Sequence, residues 1–127
     1  MLSIDAYEVA SVIITGGLTV HDLRWSVATE NVSNDRVHDF LYGTLAELCR
    51  CGYLIWFYEP DYGNAPSVKP ANFGEQEFAR YWRLCFQNSG LDTKIPDRDN
   101  PTLFLECNDS LLKELDKPQY DQPPFTS

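Results

Sequence analysis

Long apolar runs are missing from this chain, and no stretch approaches the ~20 residues that span a bilayer. The N-terminus also lacks a basic region followed by an apolar stretch and a small-residue cleavage site, so it does not read as a signal peptide. These two absences predict a cytoplasmic protein with no membrane partner. Positive charge is scarce as well. Ten Lys and Arg against nineteen Asp and Glu leave a formal charge of −9, a balance that a phosphate backbone repels. Direct nucleic-acid binding is disfavoured on that ground, and a basic protein becomes the favoured partner. The same excess also serves solubility.

The motifs of familiar chemistry are absent too. Cys49, Cys51, Cys85 and Cys107 total four, but C-x-C with two distant singles is not the paired C-x2-C pattern of a zinc site. On a helix, Cys49 and Cys51 would lie about 200° apart around the axis, so core cysteines in a reducing compartment are expected, with neither metal nor disulfide. His21 and His38 have no nucleophile motif such as G-x-S-x-G nearby. The carboxylate pairs in Asp97-Arg98-Asp99 and Glu75-Gln76-Glu77 fall in a polar loop and a helix's opening turn, where structural roles suffice. Gly16-Gly17 lacks the Lys and third Gly of a phosphate cradle. The expectation is a protein that is not an enzyme, with no cofactor and no indicated small-molecule ligand.

What is present is a foldable composition, 43% apolar, 13% aromatic and 23% charged over 127 residues. One domain is predicted over residues 1–118, followed by a loosely ordered tail over 119–127 with Pro123-Pro124. Helices are read from about Ser3 to Thr15 (apolar face Ile4, Tyr7, Val12, Ile14) and from Thr19 to about Glu30, with Val20, Leu23, Trp25 and Val27 available for burial. A third, capped by Ser33 or Asn34, carries Val37, Phe40, Leu41, Thr44, Leu45 and Leu48 on one stripe and ends at Gly52. Tyr53–Tyr58 reads as a strand, Glu59–Pro66 as a turn, and Ser67–Lys69 as a short return strand. A fourth helix from about Asn72 buries Phe78, Tyr81, Trp82, Cys85 and Phe86. Leu103, Leu105 and Cys107 alternate as a half-buried strand does, and a short helix follows from Asp109 to Lys117.

The order of helix, helix, long helix, strand, turn, strand resembles a winged helix-turn-helix domain. The resemblance centres on Leu45-Ala-Glu-Leu-Cys-Arg-Cys-Gly-Tyr-Leu54, which is similar to the end of a recognition helix leading into a wing. Glu59 to Pro66 stands where the wing tip would be, and Glu75 to Phe86 where a further helix often follows. The likeness runs over roughly residues 3 to 87. It implies a mainly helical α+β fold with a small antiparallel sheet, and a DNA-reading face on the third helix and wing. The residues oppose that role. The helix face carries Asp35, Asp39 and Glu47 against Arg36 and Arg50, and the wing carries Glu59 and Asp61 against Lys69.

In size, charge and lack of a catalytic motif the chain is similar in type to bacterial toxin-immunity proteins. The expected function is therefore an acidic inhibitor that neutralises a basic toxin or nuclease. A winged-helix transcription regulator or an architectural subunit of a complex is the alternative. The expected contact set is Asp35, Asp39, Tyr58, Glu59, Asp61 and Tyr62, with acids as a rim around aromatic anchors.

Overall fold

A computed structural model of the protein describes residues 1–27, 36–61, 65–86 and 101–125. In chain order these form α1 (Ile4–Ile13), β1 (Leu18–Thr19), α2 (Val20–Val27), α3 (Val37–Arg50), β2 (Leu54–Glu59), α4 (Glu75–Phe86), β3 (Thr102–Cys107), α5 (Asp109–Leu115) and a 3-10 turn (Pro118–Asp121). The fold is a mainly helical α+β arrangement, with an antiparallel sheet in the order β1-β3-β2.

Each start and stop has a local cause. Ser3 caps α1 by accepting a hydrogen bond from the Ala6 N–H, and Asn108 caps α5 by accepting from the Leu111 N–H. Thr19 has two duties: its backbone pairs with Phe104 in the sheet, while its hydroxyl accepts from the Asp22 N–H at 3.1 Å. The cap expected of Thr19 is thus present, but the strand it also belongs to was not expected. Helix α3 ends in paired bonds, Tyr53 N–H to Leu48 C=O (2.9 Å) and Gly52 N–H to Cys49 C=O (3.0 Å). These require Gly52 at φ +77°, a left-handed conformation that costs a residue with a Cβ about 1–2 kcal/mol. Ser33 and Asn34, read as caps of α3, lie outside the described residues; Arg36 holds the N-cap position without a side-chain bond.

The core joins all of these elements. On α3, Val37, Leu41, Thr44, Leu45 and Leu48 are buried as the stripe predicted, with Phe40 half-buried beside it. The α1 stripe differs in part from expectation: Tyr7 and Val12 are half-buried against the core, but its centre lies elsewhere. Ala6, Val9, Ala10 and Ile13 face inward, at i, i+3, i+4 and i+7, whereas Ile4 and Ile14 are exposed. Alanine lets α1 lie close to α3, so position along the stripe outweighs side-chain size. Trp25 also departs from its expected burial and is 63% exposed, while Val20 and Leu23 on the same helix are buried.

Strand β2 pairs along its length with β3, from Leu54↔Cys107 to Glu59↔Thr102. The expected return strand at Ser67–Lys69 is reduced to a single bridge, Tyr58↔Val68, because Pro66 and Pro70 flank it and cannot donate to a ladder. Leu54, Trp56, Leu103 and Leu105 are buried; Phe57 and Phe104 pair on the opposite face. Gly17 rests directly on the Phe104 ring, where any Cβ would collide.

Of the segment read as a loose tail, residues 119–125 are described, and Tyr120 and Phe125 pack against the domain. Tyr120 is 1% exposed and stacks on Tyr7 of α1 at 5.1 Å, with Phe125 edge-on to it at 4.8 Å. Its hydroxyl accepts from the Leu2 N–H (2.9 Å) and donates to Glu114 (2.6 Å). One aromatic ring with a well-placed hydroxyl thus joins this segment to the core, a contact that the tail's composition does not signal.

Candidate functional site

Helix α4 is the piece against which the expected contact residues are arranged. Its apolar positions Phe78, Trp82, Cys85 and Phe86 recur at helical spacing and are buried. On one side, Trp82 and Phe78 meet Tyr42 of α3, with centroids 5.5 and 6.0 Å away. On the other, Tyr81 meets Trp56 and Tyr58 of β2 at 5.4 and 5.2 Å. At the α3 contact the Trp82 indole N–H donates to His38 Nε2 at 2.9 Å. An indole N–H can only donate, so Nε2 is the unprotonated nitrogen there. The ring proton then lies on Nδ1, which is 3.1 Å from Asp39 Oδ1.

The expected set is only partly brought together. Asp39 is exposed on α3, next to His38 at the Trp82 contact; Asp61 is exposed and Glu59 half-buried at the far end of β2. Asp35 and Tyr62 lie outside the described residues. Tyr58, expected to be exposed beside the turn, is half-buried on Tyr81, and burial raises its phenol above the usual range, helped by the neighbouring Cys85 and Tyr81. Tyr58 faces the same way as Trp56 in the strand, and α4 arrives from later in the chain to cover both. The exposed aromatic of the described surface is Trp25, with the Arg24 guanidinium over its ring at 4.9 Å.

Several cations are committed to carboxylates of the same chain. Arg50, in the last turn of α3, bonds Glu75 at 2.9 Å; Arg80 bonds Glu77 at 2.6 Å; Lys117 bonds Glu114 at 2.7 Å. The bonds from Lys117 and then Tyr120 hold the buried Glu114 carboxyl below its usual range, against the opposing effect of burial. Glu47 is likewise occupied, accepting from the backbone N–H and hydroxyl of Ser3.

The cysteines are spread out. Cys49 and Cys85 are buried, Cys107 is half-buried and Cys51 is exposed. Burial pushes both the Cys49 and Cys85 thiols up to about 12, so both stay protonated at neutral pH and are poor ligands or nucleophiles. Among the described residues no group of three or more His, Cys, Asp or Glu is placed to hold a metal ion. No helix among them is long and apolar enough to cross a membrane.

Among the described residues, two of the surface depressions border α4. The larger, about 530 Å³, opens at its N-terminus beside Asn72, Gly74, Glu75, Gln76, Glu77 and Arg80, where both carboxylates already have arginine partners. The smaller lies between α3 and α4 and is lined by His38, Tyr42, Ala79, Trp82 and Arg83. No local pattern signals this second cleft, because its walls come from two helices, with His38 and Trp82 44 positions apart. Comparison with protein-family models, characterised proteins and solved structures finds no match for this chain.

Proposed function

We propose that this protein is a non-catalytic, acidic inhibitor of the immunity type, which neutralises a basic toxin or nuclease by covering it. The observation that carries the reading is the disposition of charge. The chain has a net charge of −9, and Arg50, Arg80 and Lys117 are each tied to an internal carboxylate. Asp39 and Asp61 meanwhile face solvent. Such a surface draws in a cationic partner and accelerates encounter. Trp25 supplies the aromatic that a partner can desolvate, the residue type that most often anchors an interface.

A second reading, a winged-helix regulator or architectural subunit, is supported by topology. Three helices with a two-residue strand after the first, then a sheet ordered β1-β3-β2, suit such a scaffold. The charge of α3 argues against its DNA-reading role, since Arg50 is engaged and Asp39 is exposed. A titration against cationic nucleases and against duplex DNA, each at low and physiological salt, separates the two. The inhibitor reading expects binding to a cationic nuclease, with association slowed by salt and by Asp39→Lys with Asp61→Lys, and no duplex binding. Sub-micromolar duplex binding that is lost in Arg36→Gln would replace it with the second reading.

A further inference from the structure

The open cleft between α3 and α4 has a volume of about 260 Å³, and its lining differs from the rest of this acidic surface. Arg83 on its wall is exposed and makes no ion pair or hydrogen bond among the described residues. Arg50 and Arg80, by contrast, are each held by a carboxylate. Tyr42 and Trp82 form the apolar part, their rings 5.5 Å apart and tilted by 56°. That wall is stiff, because Trp82 is nearly buried, packs on Phe86 at 4.4 Å and is bonded to His38. Ala79 leaves the space between the helices unfilled. A guanidinium with no partner among the described residues, beside the half-buried Tyr42 ring and the nearly buried Trp82, is the chemistry that holds a planar anion.

From this arrangement we infer that the cleft binds a small aromatic monocarboxylate, with its carboxylate on Arg83 and its ring against Tyr42 and Trp82. The volume fits one substituted ring. Asp39 stands at the His38 end with its side chain 81% exposed, and its charge repels a second negative charge on the ligand. A monoanion is accepted there and a phosphate dianion is not. Arg80, one turn earlier on α4, is engaged by Glu77.

Benzoate is the probe, followed through the indole N–H resonance of Trp82 by NMR, with benzyl alcohol, acetate and inorganic phosphate as comparisons. Benzoate is expected to shift that resonance saturably, with a Kd of about 1 mM or tighter, and the three comparison solutes at least roughly fivefold more weakly. Arg83→Gln, at an exposed site that leaves the core intact, should weaken benzoate at least roughly fivefold. Ala79→Leu should block the cleft, and Arg50→Gln, outside the cleft lining, should bind as the parent does. No saturation by about 20 mM benzoate overturns the assignment. So does an Arg83→Gln protein that binds within about twofold of the parent, or acetate acting as strongly as benzoate.

Discussion

The junction between α3 and β2 and the closure of the two chain ends are both tight, but they are built on different scales. At the junction, six residues from Leu48 to Tyr53 contain the stop signal, its glycine and its hydrogen bonds. At the closure, the Leu2 N–H reaches a hydroxyl 118 positions away, and that hydroxyl reaches a carboxylate six positions back. The first is specified by local chemistry and forms wherever that chemistry is written. The second exists only after the whole core has assembled, because Tyr120 needs the Tyr7 ring beneath it. Sequence reasoning finds the first kind and misses the second for this reason.

The largest expected effect tests the local side. Leu48→Ala removes a fully buried side chain next to the junction and should lower unfolding free energy by about 2–5 kcal/mol in denaturant titration. Tyr120→Phe keeps the ring but deletes the hydroxyl, leaving Glu114 and the Leu2 N–H each one partner short. The expected loss is about 1–3 kcal/mol, accompanied by faster amide exchange at Leu2. A loss as large as that of Leu48→Ala would show that the termini, and not α3, organise the core. Gly52→Ala places a Cβ at φ +77° with open space around it, so only backbone strain is added, about 1–2 kcal/mol.

The same contrast explains what could be read in advance. The α3 stripe, its glycine stop, the β2 strand and the Leu103–Cys107 alternation follow from spacing within one element, and the structure contains them. On α1, side-chain size favours Ile4 and Ile14, but the packing partner α3 selects Ala6, Val9, Ala10 and Ile13. Trp25 follows the same rule, since its size suggests burial but the helix's inward positions are Val20 and Leu23. Among the expected contact residues, Asp39 and Asp61 are exposed as charge predicts. Tyr58 is not, because its cover comes from Tyr81 on α4, and no local pattern encodes that arrival.

The smallest expected effect is a pH dependence. Glu114 is held below its usual range by Lys117 and Tyr120. Its contribution to stability is therefore complete above the unfolded carboxyl value of about 4.3. It is lost as pH falls through the lower folded value. Tyr120 is raised by burial and by Glu114, so its contribution is complete below about pH 10 and declines above that. Thermal scans should show a modest acid decline that is reduced in Glu114→Gln. An alkaline decline should likewise be reduced in Tyr120→Phe. Equal curves for parent and variants would show that the closure is held by ring packing alone.

Thr19 ends β1 with its backbone and opens α2 with its hydroxyl, so no free joint separates sheet from helix. Helix α2 leaves the sheet directly and carries Trp25 on its outer side. Its first residue follows the Leu18↔Leu105 and Thr19↔Phe104 pairs, where Gly17 seats the turn on the Phe104 ring. A partner that holds Trp25 therefore holds a helix joined without a linker to the edge strand of the sheet.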